Sequence, residues 1–169
     1  MNENHSTELS GLLLDPIYRS LSRLASNITL FSLIFPHDLN YAITDIARVD
    51  YMLRNDYEAY LEVDTHTNSM YWAILRMLIL SIYEISRLIK NEFTESEEIQ
   101  SLHKFFAEIR MPVAKYQKQG SRVGFDSIPI ATTEKKLRIE LSNGTIVDYG
   151  REEIILKFMK LLELAVEEG

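Results

Sequence analysis

The sequence contains no cysteine among its 169 residues. Disulfide bonds, thiol nucleophiles and thiolate metal ligands are therefore excluded together. It also has no glycine-rich phosphate loop and no nucleophile elbow. The four histidines are scattered and form no HExxH pair, so neither a metal site nor a cofactor is predicted, and no residue is assigned a catalytic role. They are His5, His37, His66 and His103.

Positive charge is in deficit, with 18 basic against 25 acidic residues and a formal net charge of −7. This balance argues against general nucleic-acid binding, which needs clustered Lys and Arg for phosphate contacts. The stretch from Lys104 to Arg138 is different, because basic residues outnumber acidic ones there. Such asymmetry is typical of either a solvated surface or a face for an anionic partner. The charge distribution therefore neither predicts nor excludes nucleic-acid binding by this chain.

The sequence predicts neither a membrane-spanning segment nor an export signal. Its first residues lack the basic start and apolar core of a signal peptide, so we expect a cytoplasmic protein. The most apolar stretch, Met70 to Lys90, is interrupted by Arg76 and has no uncharged run near the roughly 18 residues of a membrane span. Its apolar residues fall on nearly every side of a helical wheel. This pattern predicts the central helix of a bundle.

Helical periodicity and end signals predict a mainly α, single domain over residues 1–169, with residues 1–10 as a disordered tail. We expect a five-helix bundle with one β-hairpin before the C-terminal helix. Asp15-Pro16 starts the first helix and Pro36 ends it, while Asp38 caps a second helix from Leu39 to Glu62. The remaining helices are predicted at about 70–90, 94–119 and 151–167.

The connections between these helices carry their own signals. The polar run Thr65–Ser69 is predicted as a short link, and Thr94 with Glu97 as a capping box. Pro112 predicts a kink or a helix end near Arg110. Residues 121–134 are predicted to be irregular and extended. Asn143-Gly144 predicts a tight hairpin turn, in the register that places Leu141 opposite Ile146.

The surfaces of the predicted helices suggest an assembly. The second helix has an acidic side opposite its buried one, including Asp45 and Asp50, and this side is the nearest partner for the cations of the central helix. Apolar residues on the first and last helices exceed what one bundle is expected to hide, including Leu30, Leu33 and Ile34. A symmetric homodimer is the expected consequence. A protein partner is the other option that these surfaces leave open.

Six residues are candidates for ligand binding. On the central helix, Arg76, Tyr83 and Arg87 form a polar stripe, and long cations on an apolar helix must snorkel, pair or line a cleft. His103 precedes Arg110 by two helical turns, so both lie on one side of the fourth helix. The alternative is structural pairing, for example of Arg87 with Glu84. The full candidate set is Arg76, Tyr83, Arg87, His103, Arg110 and Lys115.

The segment from Tyr71 to Gly120 resembles the bacterial HEPN superfamily of small helical bundles. The likeness lies in a long apolar helix, a polar break and an F-F-x-x-I-R segment that ends at Arg110. The resemblance implies a dimeric bundle that binds nucleotides or cleaves RNA. The ribonuclease motif of that superfamily is an Arg followed by four to six residues and a His. Lys115 stands at the histidine position here.

We therefore predict a non-catalytic helical binding or interaction protein, acting as a homo-oligomer and taking an anionic ligand or a protein partner. The rival is an enzyme that acts on RNA or nucleotides through Arg110, with His103, Lys115 or Tyr116 assisting. A magnesium-dependent nucleotide pyrophosphatase would need acidic pairs on two helices. Glu58 and Glu62 supply one pair, but the central helix supplies no second.

Overall fold

The computed structural model describes residues 11–28, 30, 36–57, 65–115, 130–131, 136–140 and 144–169. This part of the chain contains five long helices, a helical turn at residues 11–14 and three antiparallel strands in the order β1-β2-β3. The predicted mainly α fold with a hairpin before the last helix is confirmed. The helices are α1 (Pro16–Asn27), α2 (Pro36–Met52), α3 (Thr65–Glu92), α4 (Glu97–Lys115) and α5 (Arg151–Glu168). The strands are β1 (Ile130–Ala131), β2 (Lys136–Glu140) and β3 (Ile146–Gly150).

The start of α1 is as predicted. Asp15 caps the helix by accepting a hydrogen bond from the backbone N–H of Tyr18 at 2.8 Å, and Pro16 occupies the first turn. The predicted end at Pro36 is wrong, because α1 ends at Asn27 and the backbone of Ile28 is already extended. The predicted disordered tail, residues 1–10, lies outside the described residues.

Pro36 begins α2 instead of ending the helix before it. A proline lacks the N–H that a first-turn residue leaves unpaired, and its fixed φ suits the helix, so one proline can mark either boundary. The predicted start after Asp38 is wrong for this reason. At its other end, α2 continues as one π-helical segment, Leu53–Tyr57. The predicted residues 58–62 lie outside the described part of the chain.

The central helix is longer than predicted. The polar run Thr65–Ser69, predicted as a link, forms the first turn and more of α3. These residue types are only modestly unfavourable in a helix, and a long apolar segment after them is enough to propagate it. One side of α3 is buried in the core, while Met77 on its other side is 68% exposed. The helix is therefore not enclosed all round.

The turn between α3 and α4 also differs from the prediction. Helix α4 begins at Glu97, so Thr94 lies in the turn and not at the helix cap. The Gln100 side chain closes this turn by donating to the carbonyl oxygens of Lys90 and Phe93, at 3.3 and 3.2 Å. Pro112 lies inside α4, which runs through it to Lys115, so no helix end occurs near Arg110.

The β-hairpin forms, but its register is shifted by one residue from the prediction. Glu140, and not Leu141, is the partner of Ile146, and Gly144 adopts a positive φ of 81°. A one-residue shift moves every side chain to the other face of the sheet. In the observed register Arg138 lies opposite Asp148, and the guanidinium binds both carboxylate oxygens at 2.8 Å.

Strand β1 falls in the segment that was predicted to be irregular. Its two residues pair with β2, Ile130 with Arg138 and Ala131 with Leu137. On the inner face of the sheet, Leu137, Ile139 and Tyr149 are buried against the helices. The sheet is thus stabilised by packing on the bundle, as a small sheet requires.

The core accounts for most apolar residues of the first and last helices. All six residues predicted to face inward from α5 are fully buried: Ile154, Ile155, Phe158, Leu161, Leu162 and Ala165. Leu21 and Ala25 of α1 and the following Ile28 and Leu30 are buried as well. Leu33 and Ile34 lie outside the described residues. The described apolar residues of α1 therefore do not supply the surplus on which a dimer was predicted.

A network of four charged side chains joins α1, α2 and α5. Arg54, in the π-helical segment, binds both carboxylate oxygens of Asp15 at 2.8 and 2.9 Å. Its Nε donates to Asp50 at 2.9 Å, and Asp50 also accepts from Arg151 at 2.5 Å. Asp50 is fully buried, so its predicted place on the side of the second helix opposite the buried one is wrong. The paired guanidinium groups compensate its buried charge.

Candidate functional site

The candidate site lies where α3 and α4 pack against each other, the most extensive helix contact in the described chain. Helix α3 contributes Tyr83 and Ser86, which are three residues apart and therefore on one side of the helix. Helix α4 contributes His103 and Arg110, two turns apart on one side of that helix. The predicted one-sided placement of His103 and Arg110 is confirmed, and both side chains are partly buried.

Ser86 fixes the orientation of His103. The Ser86 hydroxyl donates its proton to the backbone carbonyl of Tyr83 at 2.7 Å. The Ser86 oxygen also lies 3.0 Å from Nδ1 of His103. Because the single hydroxyl proton is already donated, Nδ1 must carry the proton of the second hydrogen bond. The neutral imidazole therefore has its free lone pair on Nε2.

Ser86 is not a nucleophile in this arrangement, although a serine beside a histidine is a familiar catalytic pair. The residue is fully buried, and its proton is directed at a carbonyl and not at the imidazole. In addition, Nδ1 of His103 is the donor of the shared hydrogen bond, so it cannot accept the serine proton. Ser86 acts on the site only by positioning His103.

Tyr83 connects His103 to Arg110. The ring centroids of Tyr83 and His103 are 5.5 Å apart, and the guanidinium carbon of Arg110 lies 4.8 Å from the Tyr83 centroid. This is the distance of a cation–π contact, which holds a guanidinium in place without neutralising it. The other described polar contact of Arg110 is a donation from Nη1 to the sulfur of Met111 at 3.3 Å.

The electrostatics of the site are cationic. Burial lowers the pKa of His103 below its usual value of 6.5, and the positive charges of Lys90 and Arg87 lower it further. No carboxylate in the described part of the chain contributes to this shift. Arg110 likewise forms no ion pair with a described carboxylate, in contrast to Arg54, Arg138 and Arg151. An anionic group near His103 and Arg110 would be attracted by the positive charges of Lys90, Arg87 and Arg110.

The remaining predicted site residues lie elsewhere. Arg87 pairs with Glu84 through a 2.9 Å contact on the exposed side of α3, which confirms the predicted structural pairing. Arg76 lies two turns before Tyr83 and is partly buried. Lys115 is the last residue of α4, and its side chain lies outside the described part of the structure. The structure thus brings Tyr83, His103 and Arg110 together.

Ser86 is the residue of this site that the sequence did not reveal. One signal was available, since it is a polar residue at a buried position of an otherwise apolar helix. Buried polar groups are almost always hydrogen-bonded, so such a residue points to a specific partner. The partner itself follows from the packing of α3 on α4 and not from either helix alone.

A concave region lies between the hairpin and α5. The charged residues that line this cleft of about 700 Å³ are three lysines and three carboxylates: Lys136, Lys157, Lys160, Asp148, Glu152 and Glu153. Its charges balance, and Lys157 already packs on the Phe105 ring at 4.7 Å. The charges that line the cleft therefore give it no net preference for an anion.

Metal-ligating clusters and membrane-spanning helices are both absent from the described part of the chain. The described residues contain no group of three or more metal-ligating side chains, and the side chains of Glu58 and Glu62 lie outside them. None of the described helices combines the length and the hydropathy needed to cross a membrane.

No protein-family model, curated protein sequence or solved structure matches this chain.

Proposed function

We propose that this protein is a non-catalytic, helical binding protein that takes an anionic ligand at Arg110 and acts as a homo-oligomer in the cytoplasm. The carrying observation is the guanidinium of Arg110, which pairs with no carboxylate among the described residues and is held 4.8 Å from the Tyr83 centroid. A planar guanidinium offers two parallel donors to a carboxylate or phosphate, which lysine cannot copy. The resemblance of residues 71–120 to the HEPN superfamily adds an expected architecture to this proposal.

The experiment compares thermal unfolding of four proteins with and without sulfate: wild type, Arg110→Ala, Arg110→Lys and Lys104→Ala. Lys104 is an exposed cation on the same helix and serves as the matched control. A ligand at about 100 times its Kd stabilises by about 2.7 kcal/mol, which raises the melting temperature by roughly 5–10 °C in a domain of this size. We expect this increase in wild type and Lys104→Ala only.

Sulfate also stabilises proteins without binding a site, because it is excluded from their surfaces. That contribution is common to all four proteins and is removed by comparing them. A shift of equal size in Arg110→Ala would contradict the proposed ligand site. A large loss of stability in Arg110→Ala without sulfate, and no sulfate-dependent difference, would make Arg110 a purely structural residue.

The proposed homo-oligomer involves the exposed side of α3. Met70 and Met77 are 39% and 68% exposed and lie two turns apart on one side of the helix, with exposed Ala73 between them. Methionine and alanine let two helices approach closely and adapt to each other. A second copy of the same face is the simplest partner, since most soluble oligomers are symmetric.

The rival function is an enzyme acting on RNA or nucleotides. One observation favours it: a histidine with a free Nε2 lies beside the same tyrosine ring as Arg110. A base and an anion-binding group are the minimum for phosphoryl chemistry. Incubation of a mixed RNA pool with wild type and His103→Gln tests this, because cleavage abolished by the substitution would replace the binding proposal.

A further inference from the structure

We infer that α1 carries a binding site of its own, a cavity that takes the phosphate group of a phosphate ester at Arg19 and Arg23. The cavity has a volume of about 560 Å³ and is lined by residues of α1 and by Leu13 just before it. Helix α1 packs mainly on α2 and α5, whereas the Arg110 site lies between α3 and α4. The two sites share no residue and can be tested separately.

Two arginines give the cavity its charge. Arg19 and Arg23 are one helical turn apart, and both line the cavity with exposed side chains. Residues at this spacing are neighbours on a helix surface, so both guanidinium groups can reach one ligand. Neither forms an ion pair with a described carboxylate, although five other arginines of the chain do. Two like charges one turn apart repel each other, and a bound anion would offset that repulsion.

No acidic side chain is among the described residues that line the cavity. The nearest described acid in the sequence, Asp15, is held by both of its oxygens on Arg54. The cleft between the hairpin and α5 is different, because three carboxylates balance its three lysines. In a chain with a net charge of −7, the α1 cavity is therefore a local concentration of positive charge.

Ser22 adds a hydroxyl group to the same cavity. It follows Arg19 by three residues, so the two side chains are neighbours on the helix surface. Its oxygen is buried and has no hydrogen-bond partner in the described part of the chain. Buried polar groups are almost always hydrogen-bonded, so an unpartnered hydroxyl beside two arginines is what a site completed by a ligand would show. Rotation about the Cα–Cβ bond is enough to turn this hydroxyl toward the cavity.

The number of donors favours a phosphate group over a carboxylate. A carboxylate has two oxygens, and one bidentate guanidinium uses both of them. A phosphate monoester has three terminal oxygens and close to two negative charges near neutral pH. It can therefore accept from Arg19, Arg23 and the Ser22 hydroxyl at the same time. A carboxylate would leave one guanidinium without a partner.

The rest of the lining suits an organic group attached to the phosphate. Leu13, Pro16 and Tyr18 supply apolar and aromatic surface in the same cavity, whose volume is in the range of small-molecule sites. Leu13 is 60% exposed, so contact with the organic group would bury apolar area. A soluble phosphate ester and the headgroup of a phospholipid share this chemistry. Leu14, 72% exposed beside Leu13, makes the lipid source worth a separate test.

Calorimetric titration with phenyl phosphate tests the site in wild type, in the double variant Arg19→Gln with Arg23→Gln, and in Arg48→Gln. Glutamine has a helix propensity close to that of arginine, so these exposed positions should tolerate it. Arg48 is the matched control, an exposed arginine that already pairs with Asp45. We expect the double variant to bind at least about tenfold more weakly than wild type, and Arg48→Gln to bind like wild type. Equal affinity of all three proteins would overturn the site.

Benzoate tests the ligand class, because it presents the same ring on a carboxylate. It should bind wild type at least about tenfold more weakly than phenyl phosphate, since one guanidinium then lacks a partner. Equal affinity would overturn the assignment to phosphate. Ser22→Ala should weaken phenyl phosphate binding several-fold, and an unchanged affinity would contradict the role of the hydroxyl. The NMR signals of the Nε–H groups of Arg19 and Arg23 should shift with phenyl phosphate, and that of Arg48 should not.

Vesicles of phosphatidylcholine, with and without phosphatidic acid, separate the two sources of the phosphate group. Co-sedimentation that requires both phosphatidic acid and the two arginines identifies a lipid headgroup. Binding of phenyl phosphate without such co-sedimentation identifies a soluble ester, and the absence of both would overturn the inference. Binding lost in Arg110→Ala but kept in the double variant would belong to the Arg110 site and would also overturn it. The converse result would support the α1 cavity and leave the proposed function to its own test.

Discussion

Asp50 and Arg151 are 101 positions apart in the sequence and form a buried ion pair with a 2.5 Å hydrogen bond. Arg151 is the first residue of α5, where the positive end of the helix dipole makes a cation unfavourable. The fully buried carboxylate of Asp50 offsets that cost, and Arg151 in turn compensates the buried charge of Asp50. Asp50 also accepts from Arg54, so one buried carboxylate links two guanidinium groups.

Asp50→Asn should therefore destabilise the fold strongly. Removing one member of a buried ion pair costs about 3–5 kcal/mol, and here Arg54 and Arg151 both lose the carboxylate that they share. Chemical denaturation of the variant measures this loss. Asp45→Asn is the matched control, because Asp45 pairs with Arg48 on the exposed side of the same helix and should matter by less than about 1 kcal/mol. Similar losses in both variants would contradict the proposed burial of Asp50.

Asp15 combines a helix cap with an ion pair, and two substitutions separate these roles. Asp15→Asn keeps a capping oxygen and loses the charge that pairs with Arg54, while Asp15→Ala loses both. The additional loss in the alanine variant should equal the cap, about 0.5–2 kcal/mol. Thermal or chemical unfolding of both variants measures the difference. Equal stability of the two would show that the cap contributes nothing.

The Asp15 carboxyl also predicts a pH dependence. Burial alone would raise its pKa, but the hydrogen bonds from Arg54 and from the N–H of Tyr18 outweigh it and lower the pKa below the usual 3.8. The folded state then binds fewer protons than the unfolded state. This contribution is fully present above about pH 4 and is lost as the pH falls through the lowered pKa. Wild type should lose stability there more steeply than Asp15→Asn.

The register of the hairpin can be tested by a cross-strand disulfide, since the chain has no other cysteine. Glu140→Cys with Ile146→Cys places both thiols on one face of directly paired positions. This pair should oxidise readily to a disulfide within one chain, as mass spectrometry would show. Leu141→Cys with Ile146→Cys is the pair that the register predicted from the sequence would place opposite each other, and this control should oxidise much less readily. The reverse result would restore the register predicted from the sequence.

The proposed dimer predicts that Met77→Glu converts the protein to monomers. A carboxylate at the centre of an apolar helix contact would have to be buried without a partner. Light scattering at micromolar concentrations measures the mass directly. Leu156→Glu is the control, because Leu156 is another exposed apolar residue, on α5, at 52% exposure. A wild-type mass near the 19.7 kDa of one chain would end the dimer proposal.

The sequence predicted best those features that depend on neighbours in the chain. The apolar spacing of α5 identified all six of its predicted inward residues, and Asp15-Pro16 identified the start of α1. The hairpin was found from Asn143-Gly144, but not its register, because a turn one residue different in length leaves the same local signal. Pro36 was assigned to the wrong helix since its chemistry suits both boundaries.

The features that the sequence could not predict depend on distant parts of the chain. Asp50 has the pattern of an acid opposite the buried side of α2, and its burial depends on Arg151, 101 positions away, as well as on nearby Arg54. In the candidate site, two turns of spacing placed His103 with Arg110 correctly. The contact of Ser86 with His103, which selects the imidazole tautomer, arises from the way in which two helices pack. Helical periodicity has no information about such a contact.

Strand β3 passes into α5 without an intervening loop, as Gly150 ends the strand and Arg151 begins the helix. Each residue of an α-helix turns the chain by about 100°, so the phase of α5 is fixed by the last residue of the sheet. Inserting one residue at this junction would rotate Arg151 away from Asp50 and turn the apolar stripe of α5 toward solvent. The residue at which the hairpin ends therefore determines which side of α5 faces the core. An insertion or deletion at this junction would be poorly tolerated for that reason.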